Sequence, residues 1–486
     1  MSASDDNSPA LYQRIGLFAG PVAALMVVVF FSPETLPQAG VYVAAIGTLM
    51  AIWWATEAIP VAVTAFLPLV ALPVLGVGSV AENAQPYAHP IIYLFFGGFV
   101  IALAIERCGL HRRIALAVFS FVGANARFLV GGFMIAAAIV SMWISNTSTT
   151  LMLLPIAISV ATVINETMPD LSVKARSHFN TALLLGLAYG ATLGGVATLV
   201  GTPPNAFMAG FMADTYAVEI DFARWMLVGV PVALVMLPLA WLSLTRIMYR
   251  VDFRASSEAI NHIASMRAGL GPMSKAEQRT GLLFLFLVAG WLFRRPIADL
   301  PFMGEVTDTT IAMTAAVAAF LIPSGQKGEA LMRWSDMAKL PWGVLILFGG
   351  GLALAAAIAN SGLALWIGEQ LAPLGLINLT LLVIAATALV IFLTELTSNL
   401  ATTATFLPVI AAVAVETGQD PLLFVIPVTL AASCAFMLPV ATPPNAIVFS
   451  SGHISIPQMA RAGLLLNLVS IAVLSVVALT LAPLVF

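Results

Sequence analysis

Gly201-Thr202-Pro203-Pro204-Asn205 stands in one of the most apolar parts of a 486-residue chain, and it returns 240 residues later as Ala441-Thr442-Pro443-Pro444-Asn445. Two successive prolines remove two backbone donors and clash with the preceding turn. A helix that reaches Gly201 or Ala441 is therefore expected to break there. In hydrocarbon the backbone groups released by such a break are costly unless they find partners. Upstream of each copy lies a second polar mark, Ser145-Asn146 and, 253 residues on, Ser398-Asn399. Matching sets of broken, polar segments in two halves of a membrane chain point to a transporter binding site at the interface of two repeats.

The chain is 60% hydrophobic and 9% charged, against about 25% charged in soluble domains. The uncharged runs Ile15–Pro33, Leu36–Thr56, Pro60–Val80, Met226–Thr245 and Leu464–Phe486 each approach the ~20 residues a helix needs to cross a bilayer. No segment alternates with a period of two, which argues against a β-barrel. Met1–Ala10 is polar and acidic and lacks the basic start and cleavage site of a signal peptide, so the first apolar run is expected to be a retained span. Cys108 and Cys434 lie in apolar surroundings, with neither a disulfide framework nor a metal-ligand spacing.

Basic residues set the orientation. With eleven crossings and an inside N-terminus, 17 of the 20 Lys and Arg fall on the cytoplasmic side, and only Arg224, Arg294 and Arg295 fall opposite. So lopsided a split is what the positive-inside rule requires, and the odd count puts the C-terminus outside.

The halves echo each other. Phe96-Gly97-Gly98 matches Phe348-Gly349-Gly350, Gly109-Leu110 matches Gly362-Leu363, and Pro155 matches Pro408. An odd number of crossings separates equivalent positions, so the repeats are inverted. The offset changes from 253 to 240 between Pro155 and Thr202, so the first half carries 13 extra residues there. The charged segment around Asn165–Ser177 is expected to hold them. Arg246–Arg279 reads as a charged cytoplasmic linker with an amphipathic surface helix.

Phe128–Asn165 holds 38 residues without a charge, too many for one straight crossing. It is either two full crossings or one re-entrant hairpin. Both return the chain to the same side, so charge counting does not separate them. Leu371–Val415, interrupted by Glu395 and Ser398-Asn399, poses the same question.

Ser and Asn offer oxygen to a hard cation and O–H or N–H₂ to an anion. A helix starting at a hairpin tip adds free N–H groups and a positive dipole end. Carbonyls released at the Thr-Pro-Pro-Asn breaks suit Na⁺, and the following half-helices suit a carboxylate. No Lys or Arg lies within these segments, so if the cargo is a multivalent anion, bound sodium ions aided by helix N-termini are the expected counter-charge. Glu395 is an intramembrane carboxylate, read either as functional or as an internal hydrogen-bonding group. Glu57 and Glu106-Arg107 are placed at the cytoplasmic interface. The paired glycines at 97–98 and 349–351 read as close helix packing. His89, His111, His178 and His453 sit near span ends without ligand spacing.

At these residues the chain resembles the divalent-anion:sodium symporter family. The resemblance runs from about residue 40 to the end, through Trp53-Trp54-Ala55-Thr56-Glu57-Ala58-Ile59-Pro60, Phe96-Gly97-Gly98, Ser145-Asn146-Thr147, Gly201 to Asn205, Leu340-Pro341-Trp342-Gly343 to Gly351, Glu395 to Asn399 and Ala441 to Asn445. It implies an all-α membrane protein of eleven spans plus two re-entrant hairpins, a homodimer in the bacterial inner membrane, and a transport domain moving as an elevator against a scaffold. It implies a tail at 1–14, scaffold parts at 15–126 and 280–376, transport parts at 127–245 and 377–486, and a linker at 246–279. By analogy one Na⁺ site uses Ser141, Ser145, Asn146 and the Gly201 carbonyl. The other uses Thr394, Ser398, Asn399 and the Ala441 carbonyl. Substrate carboxylates are expected among Ser145, Asn146, Thr147, Thr202, Ser398, Asn399 and Thr442, with Pro203 and Pro443 lining the pocket.

One position departs from the family pattern: the second motif reads Ser398-Asn399-Leu400 where the family often has Thr. Loss of a hydrogen bond to a charged group costs about 1.5–3 kcal/mol, enough to change which anion is preferred. The expected function is sodium-coupled import of C4-dicarboxylates such as succinate, malate or fumarate. The rivals are a sodium-independent exchanger and a sodium-coupled citrate or sulfate carrier. A membrane hydrolase lacks a nucleophile with its base, no nucleic-acid partner is implied, and a channel fits duplicated closed polar pockets less well.

Overall fold

The computed structural model describes residues 11–31, 33–119, 123–371, 373 and 378–486. The acidic Met1–Ala10 and the first ten residues of the expected 1–14 tail lie outside them. The described residues form helices throughout, with two isolated bridge pairs, Asn125 with Arg254 and Pro323 with Ala330.

The chain opens with α1 (Leu11–Phe30), α2 (Gln38–Thr56), the short α3 (Val61–Thr64) and α4 (Leu67–Val74), and α5 (Val80–Ala84). The first repeat continues with α6 (Pro90–Cys108), α7 (Leu110–Val118), α8 (Ala126–Ser141), α9 (Asn146–Thr167), α10 (Val173–Gly195), α11 (Pro203–Tyr216) and α12 (Phe222–Leu242). α13 (Ser257–Ala268) bridges to α14 (Lys275–Leu292), α15 (Arg294–Ala298) and α16 (Asp308–Leu321). The second repeat then gives α17 (Trp342–Asn360), α18 (Leu363–Leu371), α19 (Leu379–Thr394), α20 (Asn399–Glu416), α21 (Leu422–Ser433), α22 (Pro443–Ser450), α23 (Ile456–Thr480) and α24 (Ala482–Val485).

Eight of these segments are long and apolar enough to span a membrane. With α8–α9 and α19–α20 taken as hairpins and each broken helix as one passage, the order accommodates eleven passages. α9, at 22 residues, is by length alone a full span. Its partner arm α8 has 16 residues, about 24 Å at 1.5 Å per residue, short of the ~20 residues a crossing needs. The tip between them also packs inside the protein rather than forming a loop, as described below.

Large apolar side chains such as Phe18, Leu25, Leu234, Leu285 and Val476 are exposed, which suits hydrocarbon and not water. Small residues let the helices approach, since lipid supplies no hydrophobic drive between them. A Cβ on Gly97 would lie 2.7 Å from the Ala312 backbone, and one on Gly350 would collide with the Ala65 carbonyl. The paired glycines are contact points, as their reading proposed.

One expectation is corrected and one sharpened. Pro60–Val80 is not one continuous helix: it breaks at Ala65-Phe66 between α3 and α4. The 13 extra residues lie in the helices that flank the 168–172 turn rather than in the turn itself. The turns 168–172 and 417–421 are equally long, whereas α9 has 22 residues to 18 in α20 and α10 has 23 to 12 in α21. The insertion is helical because its residues continue favourable turns rather than add exposed loop.

The three basic residues assigned to the minority side gather at one end. Asp221 accepts from the Arg224 N–H and ion-pairs with Arg294 at 3.2 Å and Arg295 at 2.7 Å. Burial works to raise the Asp221 carboxyl, but the Arg224 N–H, Arg295 and Arg294 outweigh it and hold it below the usual carboxylate range.

Candidate functional site

Ser145 ends the first hairpin turn and caps α9, its oxygen accepting the Ser148 N–H at 3.2 Å. This is the local reason the helix restarts there. The Ser141 hydroxyl donates to Asn146 Oδ1 across the turn. That turn meets the break between α10 and α11: Thr198 Oγ1 donates to the Met142 carbonyl at 2.6 Å. A Cβ on Gly195 would sit 2.6 Å from Asn146 Oδ1 and 3.1 Å from the Gly201 carbonyl. The missing side chain thus leaves a small cradle walled by two oxygens of the expected first Na⁺ set. Hydroxyl, amide and carbonyl oxygens of this kind suit a hard monovalent cation.

The break begins earlier than the prolines alone dictate. α10 ends at Gly195 and α21 at Ser433, so residues 196–202 and 434–442 are non-helical. The asparagine of each Thr-Pro-Pro-Asn folds back over its own break. Asn205 Nδ2 donates to the Val196 and Thr198 carbonyls at 3.2 and 2.8 Å, and Asn445 Nδ2 donates to Ala435 and Leu438 at 3.2 and 3.1 Å. Trp225 Nε1 takes Val196 as well, at 3.1 Å. Side chains satisfy these four released carbonyls. The other amide oxygens, Asn205 Oδ1 and Asn445 Oδ1, are buried and lack a protein partner in both repeats.

The second repeat reproduces the tip: Thr394 Oγ1 lies 3.0 Å from Asn399 Oδ1 and 2.8 Å from the Ala432 carbonyl. Its break is held differently. The Glu395 carboxylate accepts the N–H groups of Phe436, Met437 and Leu438 at 2.7 to 3.1 Å and Asn467 Nδ2 at 2.8 Å. Of the two roles open to Glu395, the internal hydrogen-bonding one is seen. It serves as the anchor of an unwound segment.

The repeats interlock. α9 packs against α22 and α20 against α11, so each hairpin arm meets the half-helix of the other repeat. Tyr189 on α10 donates to the Phe436 carbonyl at 2.9 Å, tying one repeat to the break of the other. The N-termini of α9, α11, α20 and α22 carry the expected substrate groups. Ser145, Asn146, Thr147, Ser398, Asn399 and Pro203 are partly accessible and Pro443 is exposed, while Thr202 and Thr442 are buried. Ser398 and Thr202 make no side-chain cap bond, whereas Thr442 accepts from the Asn445 N–H. Leu400 is 4% exposed and belongs to the hydrophobic core.

Several members of this site were not singled out from sequence. Thr198, Trp225, Tyr189 and Asn467 carry no motif; they act through partners far along the chain. Glu106 was placed at the interface beside Arg107. Arg107 binds Glu329, Asp336 and the Leu331 carbonyl, while Glu106 is half-buried.

Inverted repeats, each with a hairpin whose tip meets a broken helix, define a multi-pass transporter of the helical, two-fold repeat type. The chain belongs to the family described as the sodium:sulfate symporter transmembrane region, whose model matches residues 13–486. It is 41% identical over 475 residues to a protein of Staphylococcus saprophyticus named sodium-dependent dicarboxylate transporter SdcS, covering 97% of this chain and 92% of that one. The Staphylococcus aureus (strain USA300) protein of the same name is 40% identical over 477 residues, with the same coverage. Among solved structures, the Alcanivorax borkumensis YdaH transporter superposes with TM-score 0.56 at 16% identity, covering 89% of this chain and 98% of that one. Neisseria gonorrhoeae MtrF superposes with TM-score 0.59 at 12% identity, covering 94% and 97%. These two share the fold.

Proposed function

We propose that this protein is a secondary active transporter that imports C4-dicarboxylates such as succinate, malate or fumarate together with Na⁺. The observation that carries the reading is the site chemistry. Four helices whose N-termini bear hydroxyls and amides pack in pairs across the repeat interface, α9 with α22 and α11 with α20, with no Lys or Arg in the motif segments. A dicarboxylate brought there needs positive charge from elsewhere, and two oxygen-lined tips supply places for sodium. The relatives named as sodium-dependent dicarboxylate transporters support this cargo over sulfate.

One Na⁺ is held by Ser141, Ser145, Asn146 and the Gly201 carbonyl, the other by Thr394, Ser398, Asn399 and the Ala441 carbonyl. The carboxylates lie among Thr147, Thr202, Thr442 and the two asparagines, against Pro203 and Pro443. Parts 127–245 and 377–486 move as a transport domain against a dimeric scaffold of 15–126 and 280–376. The N-terminus is cytoplasmic and the C-terminus outside. Purified protein in proteoliposomes is expected to accumulate labelled succinate under an inward Na⁺ gradient and not with K⁺ alone. Equal uptake in the two salts refutes the coupling, and competition by citrate or sulfate but not by malate refutes the cargo.

A further inference from the structure

A groove runs along the outer side of the first hairpin arm. Ile114 and Val118 of α7, Phe128, Ile135 and Ile139 of α8, and Trp241 of α12 form its walls. Gly131 and Gly132 also line it, and it holds about 1130 Å³, against about 300–1,000 Å³ for ordinary ligand pockets. Phe128, Ile135 and Ile139 are exposed, and the Trp241 N–H is already committed to the Arg127 carbonyl at 2.8 Å. From Phe128 to Ile139 the groove follows α8 for about 17 Å at 1.5 Å per residue. That is roughly half of the ~30 Å hydrocarbon thickness, the depth of one leaflet.

One end of the groove is edged by the segment 250–255. The Ala126 N–H donates to the Phe253 carbonyl at 3.1 Å, the Ala255 N–H donates to the Ala124 carbonyl at 2.6 Å, and Asn125 pairs with Arg254. Arg254 thus stands opposite Asn125, which lies between the groove-lining Gly123 and Phe128 along the chain. Arg246 follows Trp241 by about one turn, within the wider helical stretch Ser243–Met248, and Arg250 lies between it and Arg254. All three arginines are exposed, and among the described residues none has an ion pair or a side-chain hydrogen bond. Their neighbours are committed elsewhere: Arg107 to Glu329 and Asp336, Arg113 to Glu277, and Arg127 to Asp252. Asp252 is the one acid between 246 and 255, so these arginines lack a local counter-charge.

We propose that this groove binds an anionic phospholipid, with an acyl chain along α8 and the phosphate headgroup on Arg246, Arg250 and Arg254. Guanidinium groups hold phosphate through paired hydrogen bonds, and basic pockets between transmembrane helices select acidic headgroups. Trp241 stacks on Phe128 with ring centroids 6.0 Å apart, and such aromatic rings mark the level where hydrocarbon meets headgroups. The apolar walls favour a lipid over free phosphate, and the unpaired arginines favour an acidic lipid over a neutral one. A chain in the groove touches α7, α8 and α12 at once, so the bound lipid holds these three helices together.

The test adds phosphatidylglycerol, or phosphatidylcholine with the same acyl chains, to the purified full-length protein in neutral detergent. It reads the thermal unfolding temperature and, by native mass spectrometry, the lipid that stays bound. Phosphatidylglycerol is expected to raise the unfolding temperature and to remain bound, and phosphatidylcholine at the same mole fraction to do neither. Arg250→Gln combined with Arg254→Gln is expected to raise the half-stabilising phosphatidylglycerol fraction by about five-fold for each arginine replaced. Ile135→Trp fills the groove from an already exposed position; it is expected to remove the lipid response and to leave unfolding in detergent alone unchanged. Equal response to the two lipids, or an unchanged phosphatidylglycerol response in either variant, overturns the proposal. Stabilisation by glycerol 1-phosphate as large as by the lipid also overturns it, by reducing the site to one for free phosphate. A changed oligomer mass with an unchanged lipid response in Ile135→Trp overturns it too, by making the groove a contact between copies of the chain.

Discussion

Glu395 shows how a single side chain governs a stretch of unwound backbone. Three consecutive N–H groups and one amide converge on its two oxygens, all within a buried environment. Glu395→Gln replaces one acceptor oxygen with a donor that faces other donors. Each lost hydrogen bond to a charged group is worth about 1.5–3 kcal/mol, so the variant is expected to unfold at a lower temperature by roughly 3 kcal/mol or more, with and without Na⁺. Stability equal to wild type together with loss of Na⁺ response would return Glu395 to the ion pathway. Gly195 makes the complementary case. Gly195→Ala places a methyl 2.6 Å from Asn146 Oδ1, and its Na⁺-induced thermal stabilisation is expected to weaken about tenfold in Na⁺ affinity, about 1.4 kcal/mol. Retained affinity moves the first ion site away from this cradle. Ser145 and Asn146 were legible in sequence because a serine at a helix start announces a cap. Glu395 was visible as a buried charge but not as an anchor, since its partners lie 41 to 72 residues away.

Helices in this molecule are held by close approach more than by hydrophobic drive. Gly190 and Gly194 of α10 press on α8: a Cβ on Gly190 would lie 2.6 Å from the Met134 carbonyl, and one on Gly194 would strike the Ala138 backbone. This contact fixes the first hairpin against the helix whose break it faces. Gly194→Ala forces the two apart and is expected to cost roughly 1–3 kcal/mol, the range for overpacking. Gly304→Ala, which meets nothing within 4 Å, serves as the control in the same unfolding measurement. Equal stability of the two variants would mean that α8 yields freely. The existence of α8, α9, α19 and α20 was readable from uncharged runs parted by Ser-Asn. The onset of the breaks was not. Prolines mark where a new helix can start, but the preceding helix stops where its last carbonyls find Asn205, Trp225 or Asn445 instead of the next turn.

At the scale of the whole chain, the proposed movement requires the first break to slide past α6. Gly98 and Val200 are placed to test it, because the Cβ of residue 98 would stand 3.6 Å from Val200 Cβ, within the span a disulfide accepts. Cys108 and Cys434 are free thiols and are first replaced by serine. Gly98→Cys with Val200→Cys is then expected to cross-link on oxidation and to halt uptake, with recovery on reduction. Full uptake in the oxidised protein would show that these two surfaces stay together throughout transport. By itself, the sequence determined that the chain spans a membrane, that its halves are inverted copies, and where polar tips and half-helices begin. These follow from local polarity, spacing and backbone chemistry, which a linear chain displays directly. Only the tertiary structure decided where the broken helices end, which side chains satisfy the released carbonyls, and that Glu395 anchors the second break. Buried hydrogen bonds are satisfied by whichever group the packing brings within 3 Å or so, and that proximity is a property of the fold, not of neighbouring positions along the chain.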